Sequence, residues 1–274
     1  MKYVTLNNGL EMPQLGFGVW KVENQEAIPA VEHALKAGYR SLDTAKVYGN
    51  EEGVGQAIEN SGVPREDIFL TTKVWNADQG YEETLKAFDA SLERLGTDYV
   101  DLYLIHWPAP DFDQYIDTYK AMEKIYKDGK AKAIGVCNFE VEHLDRLLNE
   151  CEVVPAVNQV ECHPYLQQKE LRAFCRENGI YVEAYSPLMN GKDVLEDEAL
   201  TQLAEKKEKT IAQVILRWHL QSDLIVIPKS VTPSRIEANL EVFDFELDEE
   251  DIKIIDALDR NLRSGTHPNE MHAR

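Results

Sequence analysis

The sequence predicts an α/β fold, a (β/α)₈ barrel with an N-terminal β-hairpin in front of it. Three observations point there. Helical and extended patterns alternate along the chain, and the extended ones number eight: "LGFG", "YRSLD", "IFLTTK", "YLIH", "AIGVC", "AVNQV", "IYVEAY" and "LIVIP". They are apolar throughout rather than alternating, which suits parallel strands covered by helices on the outside. Polar residues also recur at the spacing of one βα repeat: 30 residues from Asp43 to Lys73, 33 from there to His106 and 32 on to Asn138. A doubly wound sheet fits that spacing less well.

Each element has a local reason. Asn8-Gly9 between "YVTL" and "EMPQ" is a hairpin turn. Residues 25–37 are amphipathic and stop at Gly38, a helix C-cap. Further helices are read in "EGVGQAIEN", "YEETLKAFDASLERLG", "QYIDTYKAMEKIYKDG", "EHLDRLLNE", "QKELRAFCRENG", "EALTQLAEKKEK" and "IAQVILRWHLQS", each lying between strands. After the last strand, Thr232 as N-cap and Pro233 in the first turn open a final helix. No linker, composition break or repeat divides the chain, so residues 1–274 are expected to form one domain.

Composition narrows the partners. A formal charge of −20 argues against nucleic acid and anionic membranes. With no leader pattern and no spanning apolar run, a soluble cytoplasmic protein is expected. The four cysteines show no CxxC pair and read as reduced thiols.

A barrel brings its strand C-termini to one mouth, so Asp43, Tyr48, Lys73 and His106 should meet there. A free tyrosine, with a pKa of about 10, is a poor acid at neutral pH. A neighbouring lysine would lower that pKa and an aspartate would hold the lysine charged, making Tyr48 a proton donor to a developing alkoxide. The plain alternative is an ion pair that only closes the mouth. The dinucleotide fingerprint GxGxxG is absent; instead "LIVIPKSVTPSRIEANL" places Lys229, Arg235 and a helix N-terminus after the last strand, an anion site in an acidic protein. Asn138 and Gln159 at strand ends can bond a carboxamide, Tyr185 offers a stacking ring, and Ser186 and Leu188 follow it. Trp20, Trp75 and Trp107 lie just past strand ends and would line a carbonyl pocket, while Trp218 reads as core. The short stretches "NADQG" and "PAPDFD" leave that pocket open, favouring small polar aldehydes and dicarbonyls, and the polar tail "NLRSGTHPNEMHAR" would cover part of it.

"GYRSLDTAKVYGNEEGVG", "LTTKVW" and "DLYLIHWP" resemble the signature segments of the aldo-keto reductases, in a bacterial-type form, over essentially the whole chain. The resemblance implies a monomeric NADPH-dependent carbonyl reductase, with Tyr48 as acid, Lys73 and Asp43 tuning it, and His106 orienting the substrate carbonyl. It implies a 2′-phosphate clamp of Lys229, Ser230, Arg235 and Asn239, and further cofactor contacts at Gly18, Val19, Trp20, Asp43, Asn138, Gln159, Tyr185, Ser186, Leu188 and Val231, with NADH the lesser cofactor. Lys46, Cys137 and Ala238 depart from the usual pattern. Two other readings remain at this stage: an NADPH-binding sensor without turnover, and a metal-dependent hydrolase using His106, His163 or Glu161, against which no HxH pair follows the first strand.

Overall fold

Tyr3–Thr5 (β1) and Glu11–Pro13 (β2) pair antiparallel around Asn8-Gly9, as the turn signal predicts. The computed structural model describes residues 2–191 and 193–273. Eight parallel strands follow: Phe17–Gly18 (β3), Ser41–Asp43 (β4), Phe69–Val74 (β5), Val100–Ile105 (β6), Ala131–Cys137 (β7), Val157–Glu161 (β8), Tyr181–Tyr185 (β9) and Ile225–Val226 (β10). Each pairs with the next in sequence, and bridges Leu15–Val226 and Gly18–Lys229 join the last to the first, which closes the barrel.

The helices are Asn24–Ala37 (α1), Glu51–Ser61 (α2), Tyr81–Leu95 (α3), Tyr115–Lys127 (α4), Val141–Glu150 (α5), Lys169–Glu177 (α6), Glu198–Lys207 (α7), Ile211–Gln221 (α8), Pro233–Leu240 (α9) and Glu249–Asp256 (α10). Gly38 ends α1 in the left-handed region at φ 116°, where a side chain is costly. The eighth strand is shorter than "LIVIP" suggests. Pro228 has no N–H to donate, so the ladder cannot run on through it. Thr232 does sit at the N-cap of α9, but its side chain caps nothing; the Ser230 hydroxyl instead accepts the Thr232 N–H at 3.1 Å.

Two apolar clusters hold the fold together. The larger lies between strands and helices and includes Trp218, which is fully buried as expected. The smaller, with Leu102, Leu104, Ala133, Val157 and Ile225, fills the lower barrel and is plugged by Leu6 and Met12 of the hairpin segment. Asn7 and Asn8 tie that plug to Pro155 O, just ahead of β8, and to Lys132 O, at the start of β7, so the hairpin marks the barrel floor. The polar residues collect at the other end. No helix among the described residues is long and apolar enough to cross a membrane.

Gly53 and Gly55, which have no dinucleotide role in the sequence, turn out to be packing residues. A Cβ on Gly53 would lie 2.2 Å from Asn24 O, and one on Gly55 would lie 2.4 Å from Leu95 O. These backbone contacts set how closely α2 approaches α1 and the end of α3. Gly55→Ala should therefore destabilise the protein by about 1–3 kcal/mol, the usual range for overpacking, read from denaturant unfolding.

Candidate active site

The strand order brings the C-termini of β4, β5 and β6 side by side, so three of the four expected residues meet from neighbouring strands. Lys73 lies one residue inside β5, and His106 lies one residue beyond β6. Lys73 is fully buried, and its Nζ donates to Asp43 Oδ1 at 2.6 Å and to Thr44 O at 2.8 Å. An ammonium has three N–H groups, so one remains. It is directed to the neighbourhood of Tyr48, whose ring centre is 5.1 Å from Nζ. Burial alone would lower the Lys73 pKa, but Asp43 and then Tyr48 reverse that and hold it above the ordinary lysine range.

Tyr48 comes from a short 3₁₀ turn, Lys46–Tyr48, after β4. The expectation of a lowered phenol pKa needs correction for this arrangement: burial raises it, and the opposing pull of Lys73 does not cancel that. His106 stands edge-on to Tyr48 with ring centres 5.5 Å apart, and Trp75 packs against its other side at 5.3 Å. Burial, reinforced by the Lys73 charge, lowers the His106 pKa well below the usual imidazole range, so the ring is neutral. Its Nδ1 is buried without a hydrogen-bond partner among the described residues.

Asp43, Tyr48 and His106 line a cavity of about 590 Å³, with Lys73 buried behind them. Gly18, Trp20, Asn138, Gln159, Tyr185, Ser186, Leu188 and Lys229 line it together with Trp75 and Trp107. The amides are already engaged: Asn138 donates to His106 O at 2.9 Å and accepts from the Tyr185 hydroxyl at 2.8 Å, while Gln159 donates to Asp43 Oδ2 at 2.8 Å. Val19, Ser230, Val231, Arg235 and Asn239 lie outside that lining. Val19 is buried and donates its N–H to Asp43 O, so it supports the site from behind. Arg235 is exposed near the start of α9, whereas Ser230 and Asn239 are buried. Lys229 and Arg235 have no carboxylate partner among the described residues.

A family profile described as the aldo/keto reductase family matches residues 14–260. The chain belongs to the aldo/keto reductase family. It is similar to the glyoxal reductase of Bacillus subtilis strain 168, with 58% identity over 269 residues covering 98% of this chain and 96% of the relative. It is also similar to methylglyoxal reductase DkgA of Escherichia coli K12, with 48% identity over 268 residues and 97% of each chain covered. Among solved structures, a Gox0644 mutant in complex with NADPH superimposes with a TM-score of 0.94 at 48% identity, covering 98% of this chain and 97% of that one.

One cavity residue of this aldo/keto reductase was not singled out from sequence. Lys21 lines the cavity with its Nζ 4.2 Å from the centre of the Trp20 ring; its left-handed backbone, φ 56°, leaves no local sequence signal. Lys46, a departure from the usual pattern, is drawn to Asp78 at 2.6 Å and does not line the cavity. Cys137 donates weakly to Gln159 Oε1 at 3.8 Å. Among the described residues, no group of three or more His, Cys, Asp or Glu could hold a metal ion.

Glu161 has another use. Its carboxylate accepts from Ser264 N and Oγ, both at 2.6 Å, from Gly265 N at 3.0 Å, and pairs with His163 at 2.9 Å. The expected tail cover is thereby made definite, since Ser264, Gly265, Thr266 and Met271 form one wall of the cavity. Burial opposes the Glu161 charge, but His163 and the tail donors prevail and bring its pKa down to about 2. The sign follows: this stabilisation is present above the unfolded carboxyl pKa of about 4.3 and is lost as pH falls towards the folded value. Glu161→Ala should release the tail, seen as faster proteolysis after residue 262 and a stability that loses less on acidification than the wild type does.

Proposed function

We propose that this chain reduces aldehydes and ketones to alcohols with NADPH, favouring small carbonyls and dicarbonyls such as methylglyoxal or keto-sugars. The observation that carries the reading is the Lys73 ammonium held by Asp43 and Thr44 O beside the Tyr48 ring. Tyr48 then donates a proton to the carbonyl oxygen, and Lys73 stabilises the phenolate left behind. Neutral His106 hydrogen-bonds the same oxygen and orients it, while Trp20, Trp75 and Trp107 supply the apolar walls. When bound, NADPH supplies the hydride.

The residues present fit such a cofactor. Gly18 and Lys229 line the cavity, and Lys229 and Arg235 have no carboxylate partner among the described residues, which leaves both cations available to an anionic group; a Cβ at Gly18 would press on Ile227 O at 3.2 Å, so glycine suits the close approach there. Lys229 and Arg235, with Ser230, Val231 and Asn239 around them, would hold the 2′-phosphate, and Asn138 and Gln159 the carboxamide, with Tyr185 as the stacking ring. Val19, Ser186 and Leu188 would complete the cradle. NADH, lacking that phosphate, would be the weaker cofactor. That both relatives are named as reductases, of glyoxal and of methylglyoxal, supports turnover over a binding-only barrel.

The proposal extends to residues 1–274 acting as one domain, as a cytoplasmic monomer without nucleic acid or membrane partners. The hairpin plug, the docked tail and the charge of −20 support it.

Two outcomes test this reading. Tyr48→Phe should bind NADPH normally yet lose about 10²–10⁴-fold of methylglyoxal reduction, the usual worth of a positioned acid; near-normal turnover would sink the assignment. Arg235→Ala should raise KM for NADPH on the order of tenfold while leaving KM for NADH little changed. Equal weakening of both cofactors would place the 2′-phosphate elsewhere.

A further inference from the structure

Beneath the cavity floor lies a second carboxyl that the reaction described above does not use. Glu183, on β9, is 1% exposed and faces into the barrel. Gln159 stands between it and Asp43. Its carboxamide nitrogen has two N–H groups, one donated to Asp43 Oδ2 and one to Glu183 Oε2, both at 2.8 Å. Asp43 in turn holds Lys73, so a continuous run of contacts links Glu183 to the neighbourhood of Tyr48.

We infer that Glu183 is a positioning residue for the site: it fixes the Gln159 amide against Asp43 and, by keeping or losing one proton, sets the charge beneath Tyr48. This rests on the reading of Tyr48 as proton donor. The geometry says why the proton matters. Glu183 Oε1 is buried with no hydrogen-bond partner among the described residues, a poor situation for a carboxylate oxygen and a tolerable one for a carboxylic acid. The titratable and charged groups acting on it are Asp43 from β4, Lys73 from β5 and Cys137 from β7; on β10 its register partner is the apolar Ile225. Burial, then the Asp43 charge, push the Glu183 pKa up to about 8, against the weaker opposing effects of Gln159 and Lys73.

With Glu183 neutral, Asp43 and Lys73 balance each other. Once Glu183 ionises, the buried group carries one net negative charge, which opposes formation of the Tyr48 phenolate and makes Tyr48 a weaker acid. Proton donation should slow as Glu183 loses its proton. The amide also gains a defined orientation: with both N–H groups engaged below, Gln159 presents its oxygen elsewhere.

The test measures kcat and KM for NADPH between about pH 6 and about pH 10 for wild type, Tyr48→Phe, Glu183→Gln and Glu183→Leu. In the wild type, kcat should fall several-fold on the alkaline side. Glu183→Gln keeps an acceptor for Gln159 but cannot ionise, so its ratio of alkaline to neutral rate should rise several-fold above the wild-type ratio. Glu183→Leu removes the acceptor and should raise KM for NADPH several-fold, an effect Glu183→Gln should rescue. An alkaline limb in Glu183→Gln that superimposes on the wild type overturns the inference. Wild-type turnover in Tyr48→Phe instead overturns the underlying reading of the site, a distinguishable failure.

Stability gives a second readout. A carboxyl with a raised folded pKa stabilises fully below its unfolded value of about 4.3, and that contribution is lost as pH rises through the folded value. Thermal unfolding of Glu183→Gln should therefore lose less than the wild type as pH rises from about 4.3 to about 8. Should the variants fail to fold, the carboxyl resonance of Glu183 in wild type decides: a midpoint near neutrality or above supports the inference, and a group fully ionised at about pH 6 overturns it.

Discussion

The buried contact between Lys73 and Asp43, 2.6 Å long, is the constraint on which the rest of the mouth depends. An ammonium at the core of a barrel is expensive unless its hydrogen bonds and its charge are met, and removal of one partner of such a pair commonly costs about 3–5 kcal/mol. Asp43 meets the charge, Thr44 O takes a second N–H, and the remaining direction is reserved for Tyr48. The parallel order of β4 and β5 puts the two residues on adjacent strands, so the pair needs no flexible loop to bring it together. Rigidity at this point holds Tyr48 and His106 at their observed separation.

The barrel interior is divided by chemistry. Its lower part is filled by aliphatic side chains and the hairpin plug, while Asp43, Lys73, Gln159 and Glu183 form a buried polar tier under the cavity. That tier is buried, so its charges respond to one another more strongly than they would in solvent. This is why burial dominates the Tyr48 and His106 shifts, and why the simple expectation of a lysine-acidified phenol was incomplete.

Much of this was legible in the chain. Eight apolar segments at regular spacing gave the strands, and the polar residue near each end gave Asp43, Lys73, His106 and Asn138. What could not be read were relationships across strands. Glu183 in "IYVEAY" looks like an ordinary polar residue until Gln159 is placed between it and Asp43, and Glu161 in "NQVECHPY" acquires its role only when the tail arrives from a hundred residues away. Gly53 and Gly55 were equally silent, because the surfaces that forbid a side chain belong to α1 and α3. The short eighth strand and the unused Thr232 side chain reflect the same limit: a ladder or cap is decided by the neighbour as well as by the residue.

The hairpin plug and the tail occupy opposite ends of the molecule, and this gives the barrel a mechanical polarity. Residue 2 emerges at the sealed floor, while Asn76 holds Ala273 O at 2.8 Å beside the Trp75 wall. Sequence added ahead of the hairpin is thus remote from the chemistry, whereas sequence added beyond residue 273 starts at the rim where substrates enter. Evolution or engineering can exploit that difference, lengthening one end to attach the protein to something else and the other to change which molecules reach the floor.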